Sequence, residues 1–348
     1  MEIFYIVLFV MMMFAIWRMW RGRQGVRIAM RDPAFDRTEG HPHAGEALDL
    51  LDRADWAGLT RLYWKLPPSD RYHLVQGLGE VAPMDSLSWP EDADSAILTI
   101  GGGVRIAQAA RARGGGAGRT VTREAAASMA DSLTEAHKLL TRAAAINPHD
   151  STNFALQIRI ALGLGGDRAD LNLLLGKIDA SGEYNIFVAA NHLQFVSPKW
   201  HGSTTEMWAA ANGYASNPHN AAWLAIAARA HIEEWLYSMA FDESLKQDYI
   251  ARLQDDGFVD HIRSLNRLFW NRAEDAEMSP AEATFAHNNF AFLLQMVRAD
   301  DLLRPHLEAI GPRVTAQPWG YLPSGALQPT RLLQDMRTRA GLPLLAHS

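Results

Sequence analysis

The segment that organises the chain reads Ser197-Pro198-Lys199-Trp200-His201-Gly202-Ser203-Thr204-Thr205-Glu206-Met207-Trp208. Proline disfavours helical geometry in the residue before it, so the preceding helix is predicted to end at Ser197. Gly202 supplies conformational freedom in the turn. Ser203 and Glu206 have the spacing of a capping box, which marks the start of a helix. The segment is therefore predicted to be a turn that joins two helices.

The same segment resembles the Ser-Pro-Lys-Trp-x-Gly-Ser signature of an uncharacterised bacterial domain family whose helical hairpins are similar to tetratricopeptide repeats. The resemblance extends over about residues 45–310. It implies a helical-repeat fold for that part of the chain, and it implies no activity.

The composition favours an all-α protein. Of the 348 residues 48% are hydrophobic, and Ala and Leu are abundant whereas strand-forming residues are sparse. The formal net charge of −6 gives no basic signature of nucleic-acid binding. The chain has no cysteine, which excludes disulfides, thiolate metal sites and cysteine nucleophiles.

An apolar run from Ile3 to Trp17 predicts a transmembrane anchor over residues 1–20. The run is shorter than the roughly 20 residues of a typical spanning helix, but Arg18 and Trp20 extend it by snorkelling and interfacial placement. The start carries Glu2 and no basic residue, and no Ala-x-Ala follows, so a cleaved signal peptide is disfavoured. The alternative is a buried N-terminal helix.

Charge around this run predicts its orientation. Five arginines follow the run within residues 18–31, and no Lys or Arg precedes it. The positive-inside rule then places the body in the cytoplasm, on a bacterial inner membrane. Residues 21–43 are predicted to be a basic flank and linker. This linker carries His41 and His43, whose spacing allows a metal pair, but a third ligand is missing, so no metal is predicted there.

Residues 44–120 are predicted to form an N-terminal helical region with a glycine-rich loop. The helix Ser95–Arg113 is expected to be interrupted by Gly101-Gly102-Gly103. The loop Gly114–Gly118 lacks the Gly-Lys-Ser/Thr ending of a P-loop and follows no strand. A plain flexible loop is therefore preferred to a phosphate cradle.

Residues 121–310 are predicted to form the helical-repeat domain. The turn Asn147-Pro148-His149-Asp150 recurs 70 residues later as Asn217-Pro218-His219-Asn220, about twice the tetratricopeptide period. Ser279 and Glu282 form a second capping box. The predicted fold is thus a tetratricopeptide-like α-solenoid body behind a transmembrane helix. Residues 311–348 are a Pro/Gly-rich C-terminal segment with a short helix, Thr330–Ala340.

No catalytic motif is present, and no metal or cofactor is predicted. The 13 histidines form no His-Glu-x-x-His or Glu-x-x-His arrangement, and neither a Gly-x-Ser-x-Gly elbow nor a dinucleotide fingerprint occurs. The central turn is the best candidate binding site because function concentrates on irregular loops. The candidate binding residues are Asn191, His192, Lys199, Trp200, His201, Ser203 and Trp208.

A structural role for the turn is the competing interpretation. In it Trp200 fills the gap between helix pairs, so Trp200→Ala costs roughly 3–5 kcal/mol, whereas Lys199→Ala costs little. Two functions follow from the sequence. The first is a membrane-anchored scaffold or adaptor that binds a protein or peptide partner. The second is an enzyme or small-ligand receptor with a site at the Lys199–His201 turn.

Overall fold

The structure is a computed structural model that describes residues 38–82, 89–114, 121–200, 202–311, 313–322 and 329–345. These residues are mainly helical and contain no strand, so the all-α prediction is confirmed. The predicted anchor, and most of the basic flank and of the glycine-rich loop, lie outside the described residues. Among the helices within them, none is both long enough and apolar enough to span a bilayer.

The first eight helices of the described residues are α1 Ala44–Asp52, α2 Trp56–Lys65, α3 Pro68–Val81, α4 Ser95–Arg113, α5 Arg123–Ile146, α6 Ser151–Leu164, α7 Arg168–Ser181 and α8 Ile186–Phe195. The others are α9 Thr204–Ala215, α10 Leu224–Ala240, α11 Lys246–Arg252, α12 Asp256–Ala273, α13 Pro280–Met296, α14 Leu303–Ile310, α15 Ala316–Trp319 and α16 Pro329–Arg339. Short 3₁₀ turns precede three of them: Ala221–Trp223 before α10, Glu243–Leu245 before α11 and Asp300–Leu302 before α14.

The glycine triplet does not interrupt α4, so that prediction is wrong. The helix is continuous from Ser95 to Arg113 and packs between α3, α5 and α6. A Cβ on Gly103 would lie 2.0 Å from Cγ1 of Val75 in α3, and a Cβ on Gly102 would lie 2.6 Å from Leu140 in α5. The glycines therefore allow two neighbouring helices to approach α4 closely. This contact outweighs the roughly 1 kcal/mol by which a helical glycine is disfavoured.

Four polar residues at equal intervals cap the starts of α6, α8, the 3₁₀ turn before α10, and α12. Asp150, Asn185 and Asn220 are buried, and each accepts a hydrogen bond from the backbone N–H two residues later, at 3.1, 3.0 and 3.0 Å. Asp255 caps α12 through the N–H of Phe258 at 2.8 Å. The intervals 150–185, 185–220 and 220–255 are all 35 residues. Side-chain caps stabilise helix starts by typically ~1 kcal/mol each.

Helices that are consecutive in the second half of the chain pack as pairs. Contacts join α6 to α7, α8 to α9, α10 to α11 and α13 to α14, and α10 also packs against α9 and α13. Contacts also join α3 to α6, α8 and α13. Helix α3 reaches α13 through Asp70, whose Oδ1 accepts from the backbone N–H of Ala281 at 3.3 Å. In a solenoid each unit contacts only the units next to it, whereas the contact between α3 and α13 joins helices that are many units apart in the sequence. The α-solenoid arrangement therefore stays a prediction.

Candidate functional site

The predicted turn between α8 and α9 is present and is held by its own backbone. The backbone N–H groups of Trp200 and Gly202 both donate to the carbonyl of Ser197, at 3.0 and 3.3 Å. A Cβ on Gly202 would lie 2.0 Å from the carbonyl oxygen of Val196. Gly202 is therefore required by a close backbone approach, and the expectation that it supplies flexibility is wrong.

Ser203 is the N-cap of α9, as predicted. Its Oγ accepts from the N–H of Glu206 at 3.2 Å. The carboxylate of Glu206 does not complete the capping box, because it accepts from Ser203 Oγ at 2.9 Å and from Arg168 at 2.5 Å. Ser203 is thus committed to the start of the helix.

Lys199 extends from the turn into the interior. Its side chain is only 7% exposed, and its Nζ lies 2.5 Å from Oε2 of Glu233, whose side chain is fully buried. The other oxygen of Glu233 accepts from Arg229 Nε at 2.8 Å, from the hydroxyl of Tyr321 at 2.8 Å and from Gln194. Gln317 accepts from Arg229 at 2.7 Å. We call the following residues the Glu233 cluster: Glu233, Lys199, Arg229, Tyr321, Gln194 and Gln317.

The electrostatics of the Glu233 cluster keep Glu233, Lys199 and Arg229 ionised. Burial opposes ionisation of Glu233, but the charges of Lys199 and Arg229 outweigh it and lower the pKa of Glu233 to about 2. Burial likewise lowers the pKa of Lys199, but Glu233 and Tyr321 outweigh it and raise that pKa above its ordinary value. Both cations also lie 4.9 Å from the centroid of the Tyr321 ring. A lysine that stays protonated at neutral pH is neither a nucleophile nor a general base.

Trp200 lies on the opposite, solvent side of the turn. It is 43% exposed, so the expected burial between helix pairs is wrong. The physical reason is that the turn directs one long side chain inward, and the buried carboxylate of Glu233 selects Lys199 for that position. The expectation that Lys199 is a surface residue is wrong for the same reason.

The other candidates are used in contacts between helices. Asn191 donates to Tyr72 at 3.0 Å and to the carbonyl of Ala155 at 2.9 Å. His192 pairs with the hydroxyl of Tyr214 at 2.7 Å, and burial, with the nearby charge of Arg168, lowers the pKa of His192 to about 4.

Trp208 is half-buried and packs edge-on against His231, at 4.5 Å between ring centroids. His201 lies outside the described residues. Within the described part of the chain, no hydrogen bond or ring contact joins Asn191 or His192 to Lys199 or Trp200.

Arg229, Glu233 and Tyr321 are absent from the residues that the sequence predicts for the site. One signal was available for the first two: a charged pair at i and i+4 lies within the Ala-rich, mostly apolar first part of the pattern Leu224–Ala240. Such a pair shares a helix face and requires a partner when that face is buried. No comparable signal marks Tyr321, which lies 88 residues after Glu233.

In the described part of the chain, no group of three or more His, Asp or Glu side chains has the geometry to hold a metal ion. No family model matches the chain, and neither does any curated protein or solved structure. The resemblance to the bacterial helical-repeat family therefore stays a prediction.

Proposed function

We propose that this protein is an interaction scaffold or adaptor that binds a protein or peptide partner through the turn between α8 and α9. The observation that supports the proposal is the exposed Trp200 on a turn that cannot easily move. The salt bridge of Lys199 to Glu233 ties down the preceding residue, and the close approach of Gly202 to Val196 ties down the following segment.

Exposed aromatic side chains on rigid supports suit protein recognition. Trp is enriched among the residues that contribute most to interface energies, and rigidity before binding reduces the entropy lost on association. The equal 35-residue spacing of helix caps supports a repeat architecture, in which stacked helix pairs form an extended surface for a partner. The alternative function, an enzyme or small-ligand receptor centred on the Lys199–His201 turn, is disfavoured because Lys199 is ionised, buried and paired with Glu233.

Capture experiments with the full chain test the proposal. The tagged protein is extracted in mild detergent from its native cells, as wild type, Trp200→Ala and Phe241→Ala. Phe241 is 56% exposed and is the matched control. We expect wild type and Phe241→Ala to retain one stoichiometric partner. Trp200→Ala should bind it about 30-fold more weakly, as loss of a hot-spot residue costs about 2 kcal/mol or more.

Thermal melting of the same three proteins separates binding from folding. All three should melt within a few degrees of one another, because the two truncated side chains are exposed. Retention of the partner by Trp200→Ala with unchanged affinity would refute the proposed role of the turn.

Membrane attachment through residues 1–20 is part of the same proposal and is supported by the sequence alone. We propose that this segment anchors the body at the cytoplasmic face of a bacterial inner membrane. Full-length protein should then sediment with membranes, and a chain lacking residues 1–24 should be soluble and folded. An insoluble, unfolded truncation would show instead that the apolar run belongs to the core.

A further inference from the structure

A groove of about 260 Å³ lies along α12, apart from the Glu233 cluster. Its lining is Arg263, Asn266, Arg267, Trp270, Asn271 and Leu302. Five of these residues follow the i, i+3, i+4, i+7, i+8 spacing of a single helix face, and Leu302 comes from the 3₁₀ turn before α14. The volume is below the 300–1,000 Å³ of sites for drug-sized ligands, so only a small molecule fits.

The groove contains two arginines, and one of them is available to pair with a ligand. Arg263 forms two parallel hydrogen bonds with Asp301, both at 2.7 Å, which neutralises it. Arg267 lies one turn further along α12, is exposed, and has no hydrogen bond or salt bridge to any described residue. One free guanidinium favours one singly charged anion, and its planar fork matches a carboxylate.

The uncharged side of the groove, formed by Asn266 and Trp270, is held in place by two buried histidines. His306 Nε2 donates to Oδ1 of Asn266 at 2.8 Å, and its Nδ1 lies 3.0 Å from Nδ1 of His287. The Asn266 amide oxygen is thereby engaged, whereas its Nδ2 donates to no described residue. The Trp270 ring packs 5.0 Å from His306 and 5.6 Å from His287, which holds the indole at the edge of the groove.

We propose that this groove binds a small planar carboxylate. The carboxylate would pair with Arg267 and accept from the amide of Asn266 or Asn271, and its flat apolar part would lie against Trp270 and Leu302. Aromatic stacking and a charge-assisted hydrogen bond are complementary here because the two groups are neighbours on one helix face. This site is independent of the partner-binding role proposed for Trp200.

Binding of three matched probes to the full chain tests this inference. The probes are benzoate, phenyl phosphate and the neutral isostere benzamide, measured by saturation-transfer NMR and by calorimetric titration. We expect benzoate to bind, benzamide to bind at least tenfold more weakly, and phenyl phosphate to bind no more tightly than benzoate. Failure of benzoate to bind, equal binding of benzamide, or preferred binding of phenyl phosphate would each overturn the assignment.

Three variants locate the site. Arg267→Gln should weaken benzoate at least tenfold, and Trp270→Leu should also weaken it. Arg304→Gln, which changes an exposed arginine on α14 that pairs with Glu308, is the control and should bind like wild type. Arg267→Gln changes only a free surface side chain, so its melting temperature should equal that of wild type. Wild-type affinity in Arg267→Gln would place the anion elsewhere and overturn the proposal.

Discussion

Replacement of Lys199 by methionine is the most direct test of the Glu233 cluster. Methionine keeps the length and the apolar stem of the side chain but removes the ammonium. Lys199 Nζ is the hydrogen-bond donor to Oε2 of Glu233, whereas the other three donors all reach Oε1. The variant thus leaves one oxygen of a fully buried carboxylate without a partner.

The magnitude follows from this geometry. Breaking a buried ion pair by removing one member costs about 3–5 kcal/mol. Arg229 still compensates the charge of Glu233 through Oε1, so we expect a loss of unfolding free energy at the lower end, about 3 kcal/mol. At an unfolding entropy of about 2.1 cal/mol/K per residue, this loss corresponds to roughly 4 °C in melting temperature for a chain of this size.

Urea unfolding and thermal melting, each followed by circular dichroism, are the assays. Lys246→Met is the control because Lys246 is exposed on α11, and its change should stay within about 0.5 kcal/mol. Adding Glu233→Gln to Lys199→Met should cost less than the two single changes together, since each removes part of the same interaction. If Lys199→Met has the same melting temperature as Lys246→Met, the proposed role of Lys199 in the cluster is refuted.

Burial raises the pKa of Glu39 to about 7, so its contribution to stability is full below pH 4.5 and is lost as the pH rises to about 7. The unfolding free energy of Glu39→Gln minus that of wild type should therefore be roughly 3 kcal/mol larger at pH 8 than at pH 4.5 in urea unfolding. An equal difference at both pH values would contradict this. Burial lowers the pKa of His231 to about 3, and neither ring nitrogen has a hydrogen-bond partner among the described residues. Below pH 6.5 the unfolded chain therefore takes up a proton that the folded chain does not, which destabilises wild type. His231→Leu should raise the unfolding free energy by about 2 kcal/mol more at pH 5 than at pH 8. A larger gain at pH 8 would contradict this. Gly103→Ala should cost about 1–3 kcal/mol by overpacking, despite the higher helix propensity of alanine. Val75→Ala should recover much of that loss in the double variant, and a stabilised single variant would rule out the close contact of α3 with α4.

Local chemistry in the sequence predicts the helices well. The capping box of Ser279 and Glu282 is complete in the structure, and α13 begins at Pro280 as its position requires. Proline, N-cap residues and apolar spacing act within a few residues, so their effect does not depend on distant parts of the chain. The role of the glycines in α4 is not predictable locally, because it depends on Val75 and Leu140, which lie on other helices.

The turn shows why burial is harder to predict than helix position. Adjacent residues on an irregular turn carry no periodicity that tells inside from outside. Lys199 is buried because Glu233 and Tyr321 lie beneath it, and those residues are 34 and 122 positions further along the chain. The usual preference of Trp for the interior and Lys for the surface was therefore inverted by one buried carboxylate.

The contacts between the first helices and the end of the chain have a consequence for synthesis. Oε1 of Glu39 accepts from the backbone N–H of Ala316, which is made 277 residues later. At about 5–20 residues per second, a ribosome needs roughly 14–55 s to cover that distance. During this interval Glu39 lacks its bond to Ala316, and α3 exposes the surface that α13 contacts in the finished protein. We therefore expect the nascent chain to engage chaperones until α15 has emerged, and a chain released before that helix to lose its N-terminal region to proteases first.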